Sequence, residues 1–189
     1  YKVPGIYDVQ LVAVSNNNCR DTAQKPTQVF HLPEPDFTAG PTQGCEPLQV
    51  YFTNQSTCID GFITNWNWLF GDGNTDTVQV PSHVYQSAGN YSVTLQVVSS
   101  LGCKNELKKP NYIKVHPNPV ADFEYSPEHP TIFNPQVQIT DLSSGAYNWY
   151  YNFGDSTSAF IQSPMHEYLN WGAYTIQQIV TTQYGCTDT

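Results

Sequence analysis

The chain has 189 residues, a formal net charge of −9, seven Lys and Arg together, 14% aromatic residues and only 12% charged ones. So few cations exclude a phosphate-neutralising nucleic-acid surface and docking on anionic lipid, and no apolar run is long enough to insert in a bilayer. Abundant Thr, Tyr, Pro and Gly without sustained helical periodicity predict all-β modules, and five cysteines in a Lys-poor chain point to an oxidising, extracellular setting.

Residues 1–33 read as the C-terminal strands of a preceding domain, which marks the chain as a fragment of a longer one. In Gly5–Val14, Tyr7, Val9, Leu11 and Ala13 alternate onto one face. Asn16-Asn17-Asn18 is a turn, Cys19 follows, and Gln28–His31 is the expected last strand. Two strands cannot bury a sheet face alone, so this piece should pack on something else or be the visible end of a larger domain.

Residues 34–117 carry a complete set of strand signals. Leu48, Val50 and Phe52 alternate inward within 48–54. Trp66, Trp68 and Phe70 share one face of the next strand, which Gly71-Asp72-Gly73 ends, because glycine tolerates the positive φ of a tight turn and Asp bonds back to nearby N–H groups. Either Trp66 or Trp68 plugs the core. Pro81–Tyr85, with His83, is a short strand entered by proline. Strands at 90–98 and 111–115 complete about seven, the count of a two-sheet immunoglobulin-like sandwich.

Residues 118–189 repeat the pattern and stop one strand short. Trp149-Tyr150-Tyr151-Asn152-Phe153-Gly154-Asp155-Ser156 answers Trp66–Gly73, with 83 residues between Gly71 and Gly154. Pro164-Met165-His166-Glu167-Tyr168 answers Pro81–Tyr85, and Cys19, Cys103 and Cys186 fall on one another. The linkers Leu32–Pro35 and His116–Pro119 are short and proline-rich, hence semi-rigid. An odd number of mostly antiparallel strands puts entry and exit at opposite ends, so the modules string end to end as a stalk.

Trp-x-Trp-x-Phe-Gly-Asp-Gly (66–73), Pro-x-His-x-Tyr (81–85), Gly-x-Tyr-x-Val-x-Leu-x-Val (89–97) and Gly102-Cys103 resemble the PKD domain. The resemblance covers nearly all of 34–189 and extends less securely to 1–33. It implies tandem immunoglobulin-like antiparallel β-sandwiches. The last copy further resembles the PKD repeats of gliding-motility-associated, type IX-secreted surface adhesins. Leu69 and Asn152 depart from the common Asp before Phe, and Ser156 from the second Gly.

The candidate chemistry is thin. Asp72 with His83, and Asp155 with His166, form possible acid/base pairs, but their recurrence at one place in both copies reads as scaffold. No catalytic elbow, zincin helix or phosphate loop is present. Cys45 and Cys103 sit where a sandwich brings them together, which makes them the candidate disulfide. Cys58 competes for either, Cys19 needs a partner upstream of Tyr1, and Cys186 is free or pairs outside the fragment. Calcium would draw on Asp36, Asp72, Asp122 and Asp155, which are dispersed and form no Asp-x-Asp-x-Asp loop, so solvated or turn-capping acids are preferred. Thr22, Thr77 and Ser156 follow Asp in a pattern similar to the O-glycan acceptor of bacteria with type IX secretion. Tyr147, Tyr150, Trp171 and Tyr184 are candidates for sugar stacking, set against ordinary sheet-face packing.

The expectation is a non-catalytic structural and adhesive region of a large bacterial cell-surface protein, acting as stalk or filament. Its partners would be neighbouring repeats, further copies or surface polysaccharide. The alternative is accessory binding modules of a secreted polysaccharide- or protein-degrading enzyme.

Overall fold

Alternation of apolar and polar side chains, broken by glycine and proline, makes strands throughout the computed structural model, which describes residues Tyr1–Thr189. The chain opens with an antiparallel hairpin, β1 (Gly5–Val14) and β2 (Arg20–Val29), in register from Gly5 opposite Val29 to Val14 opposite Arg20. Eight strands follow: β3 (Phe37–Gly40), β4 (Gln43–Cys45), β5 (Leu48–Asn54), β6 (Ile63–Leu69), β7 (Thr75–Asp76), β8 (Ser82–Tyr85), β9 (Gly89–Ser99) and β10 (Lys104–His116). They form two sheets, β3-β5-β8 and β4-β10-β9-β6-β7. The last part holds β11 (Phe123–Ser126), β12 (Gln136–Asp141), β13 (Asn148–Asn152), β14 (Ser158–Ala159), β15 (Met165–Glu167), β16 (Gln177–Thr181) and β17 (Thr187–Asp188). Its sheets are β11-β12-β15 and β14-β13-β16-β17. The two strand orders repeat one another, as two-sheet sandwiches of immunoglobulin type.

Contacts group the chain into two units that do not follow the sequence repeat. One holds residues 1–40, 51–82 and 91–111; the other holds 41–50, 83–90 and 112–189. In the first, Phe37, Phe52, Trp68 and Phe70 form an aromatic cluster with ring centroids 5.2–5.4 Å apart along Phe37–Trp68, Phe52–Trp68 and Phe52–Phe70. In the second, Val137, Ile139, Tyr151 and Phe153 make the core, with Phe123, Trp149, Tyr168 and Ile176 packed against it.

Of the two tryptophans on β6, Trp68 is the core plug. It is fully buried and donates its indole N–H to the Val78 carbonyl at 3.0 Å. Trp66 lies two residues nearer the strand's start and is only half-buried. Tyr151 occupies the Trp68 position of the later copy and donates its hydroxyl to the Gln162 carbonyl at 3.0 Å. Trp149, counterpart of Trp66, is again half-buried.

Two strands run longer than their apolar pattern. The last strand of the hairpin starts at Arg20, not Gln28, and β10 starts at Lys104, not Asn111. The added halves are rich in Lys, Glu, Gln and Thr. Pairing satisfies their backbone while their charged side chains, the half-buried Lys109 apart, face water, an arrangement that suits exposed sheet and carries little hydrophobic signal.

Trp68→Ala should lower stability by about 3–5 kcal/mol, read by urea denaturation, with Trp66→Ala costing clearly less. Equal losses would mean that both rings serve as core plugs.

Candidate functional site

The turns that punctuate the sandwiches are built alike. Gly71 (φ 92°) and Gly154 (φ 80°) sit where a Cβ would come within 2.5 Å of the Ser92 carbonyl oxygen and 2.7 Å of the Thr175 carbonyl oxygen, so both φ and space require glycine. Asp72 accepts the Asn74 N–H at 3.0 Å, and Asp155 accepts the Thr157 N–H at 3.0 Å. Ser156 holds the left-handed φ (73°) that Gly73 (96°) holds in the earlier copy.

Asp155 and His166 meet at 2.8 Å through Oδ2 and Nε2. The imidazole stacks on Phe153 at 4.0 Å and stands edge-on to Tyr168 at 4.5 Å, while the Tyr168 hydroxyl donates to the Phe153 carbonyl. Burial pushes the Asp155 carboxyl upward; hydrogen bonds from Thr157 and His166 more than offset it, leaving the group below its ordinary value. An imidazole pinned between rings and a turn-closing carboxylate is built to hold strand ends together. His83 likewise stands edge-on to Tyr85 at 4.7 Å.

A second carboxylate, Asp141, was not singled out by sequence reasoning. It accepts hydrogen bonds from Trp149 Nε1 (2.8 Å), Gln178 Nε2 (2.9 Å) and Gln162 Nε2 (3.0 Å), and from the Ser143 N–H (3.2 Å). Burial raises its pKa, and the bonds from Ser143, Gln162 and Gln178 outweigh burial and lower it. In the earlier copy Asn54 stands at this place, and the Trp66 indole N–H has no partner. Alignment of Asp141 with Asn54 beside two matching tryptophans was the available signal.

The cysteines depart from expectation. Cys45 is bonded to Cys186 with Cα atoms 5.5 Å apart, and Cys103 is free. Cys45 cannot meet Cys103, because Cys45 lies opposite His116 at one end of β10, whereas Cys103 immediately precedes the other end. Thirteen residues of strand separate them, roughly 40 Å, against the ~7 Å that a disulfide permits. Cys186, expected to be free or paired outside, instead joins the later repeat to β4 of the earlier one. Cys19 and Cys58 are free thiols.

Around this bond the linker is fastened. Glu46 N–H donates to the His116 carbonyl at 3.0 Å, Asn118 Nδ2 donates to the Glu46 carbonyl at 2.6 Å, and the Asn118 N–H to its carboxylate at 3.3 Å. The Tyr184 ring stacks on His116 at 3.7 Å, so that face of Tyr184 is committed to packing. Tyr147, Phe160 and Trp171 are exposed, and Tyr150 packs against Phe160 at 5.2 Å on the outward side of β13 and β14.

The remaining candidates stand apart. Asp36 is paired with Lys109 (3.1 Å), whose ammonium also lies 4.6 Å over the Phe37 ring; the Lys109 hydrogen bond leads the causes that lower the Asp36 pKa. No three His, Cys, Asp or Glu side chains converge as a metal-holding group. Thr22, Thr77 and Ser156 are all exposed. The Thr22 and Thr77 N–H groups bond to the preceding Asp carboxylates.

Two outcomes follow. Asp141 and Asp155 have folded pKa values below the ordinary 3.8. The stability they contribute is complete above that value and is lost as pH falls through the lowered folded values. Acid denaturation should therefore steepen below about pH 4, and Asp141→Asn should flatten the profile; an unchanged profile would remove Asp141 from it. Thiol titration of the denatured, unreduced chain should count three thiols, and Cys186→Ser should cost about 2–4 kcal/mol in urea. Five reactive thiols would overturn the pairing.

Comparison with known proteins places these features. The PKD domain family matches residues 31–115 and 116–189. Over 139 residues, 73% of this chain and 14% of the relative, the sequence is 33% identical to Collagenase ColA of Bacillus cereus. Over 57 residues, 30% of this chain and 6% of the relative, it is 44% identical to the pre-pro-metalloprotease PrtV of Vibrio cholerae. The crystal structure of the PKD1 domain of that metalloprotease overlaps 45% of this chain and 98% of the domain, at 35% identity and a TM-score of 0.40. The chain thus spans a small part of the length of the curated relatives it matches. With two sandwiches built on one plan and the family matched over residues 31–115 and 116–189, the chain belongs to the PKD domain family.

Proposed function

We propose that this chain is a non-catalytic, extracellular accessory region of a secreted protein-degrading enzyme. Its sandwiches hold the enzyme's catalytic part against an extended, insoluble substrate. The observation that carries the reading is the 139-residue likeness to Collagenase ColA, a stretch too long to fit within one repeat. The pinned histidines and turn-closing aspartates are scaffold, and the outward aromatic pair Tyr150 and Phe160 offers a contact surface of the kind that grips flat or fibrous ligands.

The test is co-sedimentation with insoluble collagen, cellulose and chitin. The expected result is retention on collagen, reduced about tenfold by the double change Tyr150→Ala, Phe160→Ala, which removes two anchoring rings. Retention on polysaccharide alone would move the reading to a polysaccharide-degrading enzyme. Retention on none would overturn the accessory role.

A second reading, the stalk of a large cell-surface adhesin of the type IX-secreted kind, draws on the Cys45–Cys186 bond between consecutive repeats and on the fastened linker. Peptide mass spectrometry of the native parent protein separates the two. A protease domain in the same polypeptide supports the first, and a long series of repeats ending in a secretion domain supports the second.

A further inference from the structure

The larger sheet of the earlier repeat carries on its outer face a line of polar side chains that neither the core nor the turns require. Trp68, Leu95 and Val97 point into the sandwich and are fully buried, so by alternation Asn67 on β6 and Gln96 on β9 point outward. The two are direct cross-strand partners. Asn67 Nδ2 donates to Gln96 Oε1 at 2.8 Å, and Gln96 Nε2 donates to Glu106 Oε2 on β10 at 2.9 Å. Three side chains on three neighbouring strands therefore form one hydrogen-bonded line. In the later repeat the same ladder positions hold Tyr150 opposite Ile179, so the line is not something the fold itself demands.

A groove of about 550 Å³ runs over this line, and Asn65, Asn67, Gln96, Lys104 and Glu106 all help to line it. Its size is that of a small-ligand site. The bonds within the line hold its side chains in place before anything binds, which lowers the ordering cost of binding. They also leave groups over. Asn67 keeps its carbonyl oxygen and one N–H, Gln96 keeps one N–H, and Glu106 keeps one carboxylate oxygen.

The lining selects the chemistry of the ligand. Lys104 and Glu106 are its charged members and cancel one another, so it favours neither anion nor cation. Of its apolar members, Trp66 and Val97 belong to the inward row, which leaves Val98 on the outer face. It thus lacks both the apolar floor a lipid needs and the alternate side-chain pockets a bound peptide strand needs. What remains are donors and acceptors side by side, and a hydroxyl group, which both donates and accepts, matches them.

We propose that this groove binds a neutral oligosaccharide. Adjacent ring hydroxyls accept from the Asn67 and Gln96 N–H groups and donate to Glu106, whose charge strengthens the bond it accepts. The inference does not depend on the functional reading above, and the chain with Tyr150→Ala and Phe160→Ala should bind the sugar as the unchanged chain does.

The test is a titration of the isotope-labelled full chain with cellopentaose, maltopentaose and mannopentaose, followed by NMR. The expected result is saturable movement of the Asn67 and Gln96 side-chain amide resonances with at least one of the three. Glu106→Gln keeps the size of the side chain at an exposed position and should weaken binding about tenfold. Gln96→Leu, which breaks the line in its middle, should weaken it at least as much, with the backbone spectrum showing that the fold is kept. Movement with none of the sugars, or equal binding by the Glu106→Gln chain, would overturn the proposal. So would tighter binding at the same amides of an oligogalacturonate or of a Gly- and Pro-rich peptide, because the ligand would then be an anion or a polypeptide.

Discussion

Each sandwich has to bury one large ring on the strand before the Gly-Asp turn, and that ring carries a polar atom that must not be buried alone. An unsatisfied donor inside a core costs more than the hydrogen bond returns when made. The two repeats meet this constraint with different chemistry at one position. Trp68 gives its indole N–H to the Val78 carbonyl, and Tyr151 gives its hydroxyl to the Gln162 carbonyl. In both cases the acceptor is backbone of the loop before the proline-entered strand. The ring therefore sets where that loop lies, and with it the entry of β8 or β15.

The rest of the later core follows from how Tyr151 is supported. Gln178 donates to the Tyr151 hydroxyl at 2.8 Å and to Asp141 at 2.9 Å, so ring, amide and carboxylate form one chain of bonds reaching Trp149. The earlier repeat has Leu95 at the Gln178 position and Asn54 at the Asp141 position. It has no such chain of bonds and leaves the Trp66 N–H without a partner. The later repeat thus carries a polar network around Asp141 that the earlier repeat lacks.

Three turns carry a shared signature. Cys19, Cys103 and Cys186 each place an N–H on the hydroxyl of the residue four before, Ser15, Ser99 or Thr182. The residue before each cysteine has positive φ: Asn18, Gly102 and Gly185. The alignment of the three cysteines was legible, because the strands before them recur at a spacing of 83–84 residues. The same holds for β5 and β9, whose inward residues alternate, and for β6 from Trp66 onward, past its irregularity between Ile63 and Asn65. The charged half of β10 was not legible, since its pairing is made by backbone and leaves no apolar trace. Nor was the partner of Cys186. Equivalent cysteines invite pairing within a repeat, whereas Cys45 lies at the end of its sheet where the chain departs along His116–Pro119. Asp141 looked like an ordinary polar strand end, and only its neighbours from β13 and β16 reveal what it holds.

The Cys45–Cys186 bond closes a loop across 141 of the 189 residues. A pull applied at the two ends runs along the first 45 residues, crosses two sulfur atoms and leaves through the last three. All strands from β5 to β16 lie inside the bypassed loop and carry no tension. The contour that tension can draw out falls from roughly 640 Å to roughly 160 Å. With the bond oxidised only β1 to β4 and β17 lie in the path of the pull, and with it reduced every strand does. Two thiols, far apart in sequence, decide which it is.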